Sequence, residues 1–177
     1  KNGLTIPIVY NSSGYEKVEA IEALNGIVDI FLPDFKYISS EMAARYSNAP
    51  DYPEVAKRAL AQMVKQTGDA KFDDRDMMKR GVIVRHLILP GHIKESKKAI
   101  RYLYETYGDQ IYISIMNQYT PMPGIEKRFK KLGRTITQKE YDEVVDYAVD
   151  LGVENGFIQE GETAKESFIP QFDDTGL

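Results

Sequence analysis

Val28-Asp29-Ile30-Phe31-Leu32-Pro33-Asp34-Phe35-Lys36 is apolar at nearly every position until it reaches a charged end. A strand with one wet face alternates apolar and polar residues, whereas a parallel strand covered on both faces reads as a continuous apolar run. The stretch is therefore read as a parallel strand over Val28 to Pro33 whose loop end carries Asp34 and Lys36. Upstream lies a second strand, Ile6 to Tyr10, followed by the polar turn Asn11-Ser12-Ser13-Gly14. A helix with Val18, Ile21 and Leu24 on one face then closes at Gly26. Together these pieces make one β-α-β unit.

Downstream the alternation repeats. Asp51 and Glu54 have the spacing of a capping box, and Val55, Ala56, Ala59, Leu60, Met63 and Val64 form a helical stripe that stops at Gly68. The charged, aperiodic segment from Asp69 to Arg80 reads as a loop. A third strand, Val82 to Leu89, is interrupted by Arg85 and His86 and ends at Pro90-Gly91. A helix from Lys94 to Tyr107, with Ile100 and Leu103 inward, closes at Gly108 and leads to a fourth strand, Ile111 to Met116. Asn117 to Gly124 is too proline-rich for regular structure, and a polar stretch follows to Thr137. Thr137 and Glu140 form another capping box, opening a helix with Tyr141, Val144, Val145 and Ala148 that ends at Leu151-Gly152. A short strand is expected near Phe157 to Gln159.

The expected class is α/β, with about four parallel strands and covering helices, because each crossover must carry its helix over a sheet face. Flavodoxin-like and barrel-like windings are both open. In either, ligands bind where the strands end and the βα loops gather.

The 177 residues fit one domain. No apolar run approaches the roughly 20 residues of a membrane span, and a net charge of −4 lacks the basic footprint of a general nucleic-acid binder, so neither membrane nor nucleic acid is an expected partner. The chain has no cysteine, which excludes disulfides and any cluster held by its own thiolates. It contains no P-loop, no dinucleotide-binding glycine motif, no H-E-x-x-H and no G-x-S-x-G elbow. It begins at Lys1 without a secretory or organellar presequence, so a fragment or processed chain in the cytoplasm is expected.

Asp34 and Lys36, two apart on a strand, share a face, and Phe35 takes the other. Together they could hold a zwitterionic or hydroxylated ligand, or form an internal ion pair. Arg85, costly among Ile83, Val84, Leu87 and Leu89 without an anion, reads either as an anion clamp or as a structural partner of Asp34. His86 and His92 lack a helix-face ligand spacing, and His86 is expected to pack under a helix. Asp73-Asp74-Arg75-Asp76 lacks the pattern of a calcium loop and reads as solvated charge. No metal ligand set and no catalytic side chain is assigned from these residues.

Tyr10 to Tyr15, Leu32 to Lys36, Val84 to Gly91 and Gln118 to Pro121, in that order, resemble the radical S-adenosylmethionine proteins, most closely those similar to pyruvate formate-lyase activating enzyme. Tyr46-Ser47, Asp51-Tyr52, Phe168-Ile169-Pro170 and Phe172-Asp173 extend the likeness over nearly the whole chain. The resemblance implies a partial (β/α)6, TIM-like barrel, of which residues 1–177 would be the C-terminal two thirds as one domain. The family's C-x-x-x-C-x-x-C loop, which holds a [4Fe–4S] cluster, and its G-G-E motif would lie outside this chain.

By the same resemblance the parent protein would cleave S-adenosylmethionine reductively, giving a 5′-deoxyadenosyl radical that takes hydrogen from a glycine or another carbon. Its partners would be a glycyl-radical enzyme or other protein substrate and an electron donor. Asn11 and Ser13 would line the ribose or methionine side, Asp34 and Lys36 would contact the nucleoside and its carboxylate, and Arg85 would sit near that carboxylate or ribose. Gln118 and Tyr119 stand where many activating enzymes have a histidine. A chain without the first two strands exposes a sheet edge, so self-association is expected. The alternatives are a metal-free lyase or aldolase with Lys36 as a Schiff base, and a binding module without catalysis.

Overall fold

A computed structural model describes residues 3–158. Its strands are β1 (Val9–Ser12), β2 (Ile30–Pro33), β3 (Lys71–Phe72), β4 (Met78–Leu87), β5 (Tyr112–Met116) and β6 (Gly156–Ile158). The main helices are α1 (Val18–Ala23), α2 (Ser40–Ser47), α3 (Tyr52–Thr67), α4 (Ile93–Tyr107), α5 (Ile125–Arg128) and α6 (Gln138–Leu151).

Five strands run parallel in the spatial order β1-β2-β4-β5-β6, and β3 pairs antiparallel with β4. Spatial order follows chain order without a reversal, so right-handed crossovers place the helices on one face. The flavodoxin-like winding, which needs a switch point, is thereby excluded for the described strands. They form an open sheet with β1 and β6 as its edges.

The helix face is dry: Phe31, Val82, Val84, Ile113 and Ile115 join Ile21, Met63, Ile100, Leu103 and Val144 in one core. On the opposite face Leu32, Asp34, Ile83, Arg85, Leu87, Ser114 and Met116 are only half-buried. This corrects the expectation of equal cover on both faces of β2. The nearly continuous apolar run arises because one face is core and the other borders a sheltered concavity. Among the described residues no helix is long and apolar enough to cross a membrane.

Several boundaries differ from the sequence pattern. β1 begins at Val9, not Ile6, because the Ile8 carbonyl accepts from Asp29 and Ile30 and the Asp29 carboxylate accepts from the Ile8 amide, which leaves Ile6 65% exposed. Residues 69–80 are not a plain loop but a hairpin. The Asp73 carboxylate accepts from the Arg75 and Met77 amides and lies 2.9 Å from Lys79 Nζ. Phe72 from this hairpin and Phe157 from β6 flank Tyr112, each with ring centres 5.4 Å away.

α2 adds a short helix that the sequence pattern does not mark, and its Ser39 cap accepts from the Met42 amide. Asp51 does not cap α3: its carboxylate instead accepts from the Tyr15 hydroxyl at 2.6 Å. The segment after β5 contains α5 and a 3-10 turn, Lys130–Gly133. The expected strand near Phe157 is present as β6, while Gln159 and the motif residues Phe168 to Asp173 lie outside the described residues.

The capping box at Thr137 and Glu140 forms as expected. Glu140 also accepts from the Gly91 amide at 2.8 Å and pairs with both terminal nitrogens of Arg134 at 2.6 and 2.8 Å, tying the turn after β4 to the start of α6. Glu140→Ala is expected to lower unfolding free energy by about 2 kcal/mol in urea melts, from a lost cap and a lost charged hydrogen bond.

Candidate functional site

The ladder continues past Pro33: the Asp34 amide donates to the Ser12 carbonyl at 2.9 Å and the Phe35 amide to the Arg85 carbonyl at 2.8 Å. This keeps the strand alternation intact through Lys36. Phe35 is buried and stacks on Tyr102 with ring centres 5.6 Å apart, and Asp34 and Lys36 take the opposite face. Lys36 Nζ lies 3.5 Å from Asp34 Oδ2. Arg85, in register with Asp34, brings Nη2 to 2.6 Å from Asp34 Oδ1 and donates to Asn11 Oδ1 at 2.7 Å. Three neighbouring strands thus deliver one chain of polar groups.

Its hydrogen bonding is incomplete. Arg85 Nε is buried without a partner, and Asp34 Oδ1 receives no aligned hydrogen bond despite the close guanidinium. The pairing with Asp34 is therefore present, and Arg85 Nε is a donor to spare beside it.

Asp34, Lys36 and Arg85 border a cavity of about 440 Å³, which Gln118 and Tyr119 also line. Leu87, Leu89 and Met116 give it an apolar wall, and Tyr37, Tyr46, Ile125 and Leu132 are among the other residues that line it. The Tyr119 hydroxyl donates to the Leu132 carbonyl at 2.9 Å, which ties the loop after β5 to the 3-10 turn. Of the sequence candidates, Asn11 joins through Arg85 and does not line the cavity. Ser13 is outside it: the chain turns at Gly14, and only the Ser13 carbonyl is engaged, by Tyr52.

Tyr52 organises the strand ends. Its hydroxyl accepts from the Lys36 amide and directs its single proton to the carbonyls of Ser13 and Asp34, which share it, all at 3.0 Å. Burial pushes its phenol far above the ordinary value. Replacement by phenylalanine strands those groups, so Tyr52→Phe is expected to cost about 2 kcal/mol in thermal or urea unfolding. Glu16, whose carboxylate accepts from the Ser12 hydroxyl at 3.1 Å, is shifted upward by burial first and then by the Asp34 charge. Tyr46 and Tyr52 entered only through the resemblance, and Glu16 and Tyr37 were not visible as site residues, because none of the four stands at a strand end whose parity could be read.

His86 packs under α4 as expected and is 1% exposed. Its Nδ1 lies 2.7 Å from the Phe35 carbonyl, which can only accept, so Nδ1 carries the proton. Burial pushes its pKa below the ordinary 6.5, and burial first, then the charges of Lys131 and Arg45, does the same for His92. The folded pKa is then below the unfolded one: as pH falls past about 6.5 the unfolded chain takes protons that the folded chain refuses. Stability present above that value is expected to decline between pH 7.5 and 5.5, and urea midpoints unchanged over this window would contradict it.

No group of three potential metal-ligating side chains occurs among the described residues.

No protein-family model matches the chain. An uncharacterized protein of Methanocaldococcus jannaschii is 29% identical over 143 residues, which cover 81% of this chain and 38% of that protein. A radical SAM methyltransferase from Sphaerobacter thermophilus aligns in structure with a TM-score of 0.58 at 12% identity, over 86% of this chain and 40% of that one. The chain therefore shares its α/β fold with a radical S-adenosylmethionine enzyme, and it spans about two fifths of the length of each of these two proteins.

Proposed function

We propose that this chain supplies the S-adenosylmethionine-binding strand ends of a radical enzyme resembling pyruvate formate-lyase activating enzyme. The observation that carries the reading is the unsatisfied Asp34–Arg85 pair, with Lys36 beside it, at the edge of a cavity with an apolar wall. A zwitterionic ligand needs both signs of charge within reach: Asp34 accepts from an amine or ribose hydroxyl, and Arg85 and Lys36 meet a carboxylate. The residues present fit the methionyl and ribosyl parts of such a cofactor. They do not fit a [4Fe–4S] cluster, since the chain has no cysteine, and its ligands would come from outside these residues.

When bound at such a cluster the cofactor supplies radical hydrogen abstraction from a glycine or another unreactive carbon. The residues here would bind and orient it, and this chain alone would be inactive. A glycyl-radical protein or other protein substrate, an electron donor and a cytoplasmic setting belong to the same proposal. So does self-association of the chain through the β1 edge, where Val9 is 52% exposed; a clean monomer in sedimentation at micromolar concentration would count against it.

The test is a titration of the chain with S-adenosylmethionine, followed by circular dichroism to confirm folding. Saturable binding is expected, about tenfold weaker in Asp34→Asn and unchanged in Ser13→Ala. No saturable binding to folded protein would sink the reading. A Schiff base at Lys36 draws less support, because the amine lies beside the Asp34 carboxylate with a side chain 41% exposed. Borohydride trapping with carbonyl compounds is expected to leave Lys36 unmodified.

A further inference from the structure

Beside the main cavity lies a smaller one of about 130 Å³, lined by Arg45, Tyr46, His92, Phe129, Lys130 and Lys131. Tyr46 belongs to both walls, and the segment from Ile125 to Leu132 contributes to both, so the two spaces adjoin. The chain has 27 acidic residues against 23 lysines and arginines. Some of its surface cations pair with carboxylates, among them Lys57 with Glu54, Lys79 with Asp73, Lys97 with Glu143 and Arg134 with Glu140, and others stand apart on the surface. Around the small cavity three cations converge on one concave space. Among the described residues Arg45, Lys130 and Lys131 have no carboxylate partner, and Lys131 reaches only the Gly91 carbonyl at 3.4 Å.

The arrangement is also held in place. The Arg45 guanidinium lies 5.6 Å from the Tyr46 ring centre and 6.0 Å from that of Phe129, while the Tyr46 hydroxyl and His92 Nε2 are 2.8 Å apart. Stacked on rings, a guanidinium keeps its edge N–H groups for an anion. Burial first, and then the charges of Lys131 and Arg45, push the His92 imidazole down against an upward pull from Glu95, so both cations act on this space.

We propose that this cavity is an anion subsite that takes a phosphate group carried by the substrate of the adjoining cavity. A compact dianion satisfies one guanidinium and two ammonium groups at once, and a concave space of this size suits it better than an extended acidic segment, which would also engage Lys127 and Arg128 outside the cavity. The inference rests on the main cavity being a cofactor and substrate site, and it names the class of substrate.

The experiment is an NMR titration at constant ionic strength with inorganic phosphate, phenyl phosphate, hexaglutamate and a chloride control, with S-adenosylmethionine titrated separately. Phosphate and phenyl phosphate are expected to shift the His92 ring signals saturably and leave His86 unmoved. Phenyl phosphate is expected to bind several-fold tighter and to shift the Met116 methyl as well. Arg45→Gln and Lys130→Gln, both at exposed positions, are each expected to weaken binding about tenfold. No saturable shift beyond chloride, or an affinity in both variants unchanged from that of the unsubstituted chain, overturns the proposal. Phenyl phosphate binding no tighter than phosphate, with Met116 silent, overturns it in favour of a site for free anions. Tighter binding of hexaglutamate, sensitive to Lys127→Gln and not to Arg45→Gln, overturns it in favour of an acidic protein. Loss of S-adenosylmethionine binding alone, with the phosphate response intact, counts against the cofactor reading and not against the anion site.

Discussion

Gly14→Ala is expected to destabilise the fold by about 3 kcal/mol or more, the sum of left-handed backbone strain and a clash with a neighbouring strand. Gly14 has φ of +77°, and a β-carbon built there meets the carbonyl oxygen of Asp34, with Tyr52 Oη at 3.3 Å. The end of β2 would have to move, and with it the carbonyl that Tyr52 holds and the carboxylate that Arg85 meets. Gly26 supplies the control. Its φ is +76°, and nothing lies within 4 Å of the added carbon, so Gly26→Ala carries the backbone strain alone, about 1–2 kcal/mol. Urea melts of the two variants separate the terms; equal losses would show that the close approach to Asp34 is without consequence.

Arg85→Leu is expected to cost about 2 kcal/mol of stability, because it leaves the Asp34 carboxylate, with a side chain 18% exposed, facing Lys36 alone. Asp34→Asn is expected to cost less, and the double variant less than the sum, with a coupling of about 1–2 kcal/mol. The same variants decide between the two roles open to Arg85. As a structural partner only, its loss changes the melts and leaves S-adenosylmethionine affinity where it was. As a ligand contact, its loss lowers that affinity at least about tenfold at temperatures where the variant remains folded.

The candidate site was legible where it sits on strands. Asp34, Lys36 and Arg85 stand at known parity on β2 and β4 and its extension, so alternation alone predicts that they share a face, and the register then brings them together. Asn11 joined them through the same geometry. Ser13 did not, because one residue further on the chain leaves the strand and turns at Gly14. Tyr46, Arg45 and His92 were illegible as a group: they come from α2 and from the start of α4, and the short, polar segment Ile125 to Gly133 that completes both cavities has no period to read.

By itself the sequence determined the parallel α/β class, the order of the strands along the chain, the helix that opens at Thr137 and the absence of thiolate ligands. These follow from local spacing and composition, which each segment carries alone. Only the tertiary structure decided the single direction of winding, the hairpin after α3, that Asp34 does pair with Arg85 while leaving Nε unpartnered, and the gathering of unpaired cations beside the cavity. Each of those depends on which strand lies next to which, a choice made by burying one sheet face under all the crossovers at once, and no window of neighbouring residues contains it.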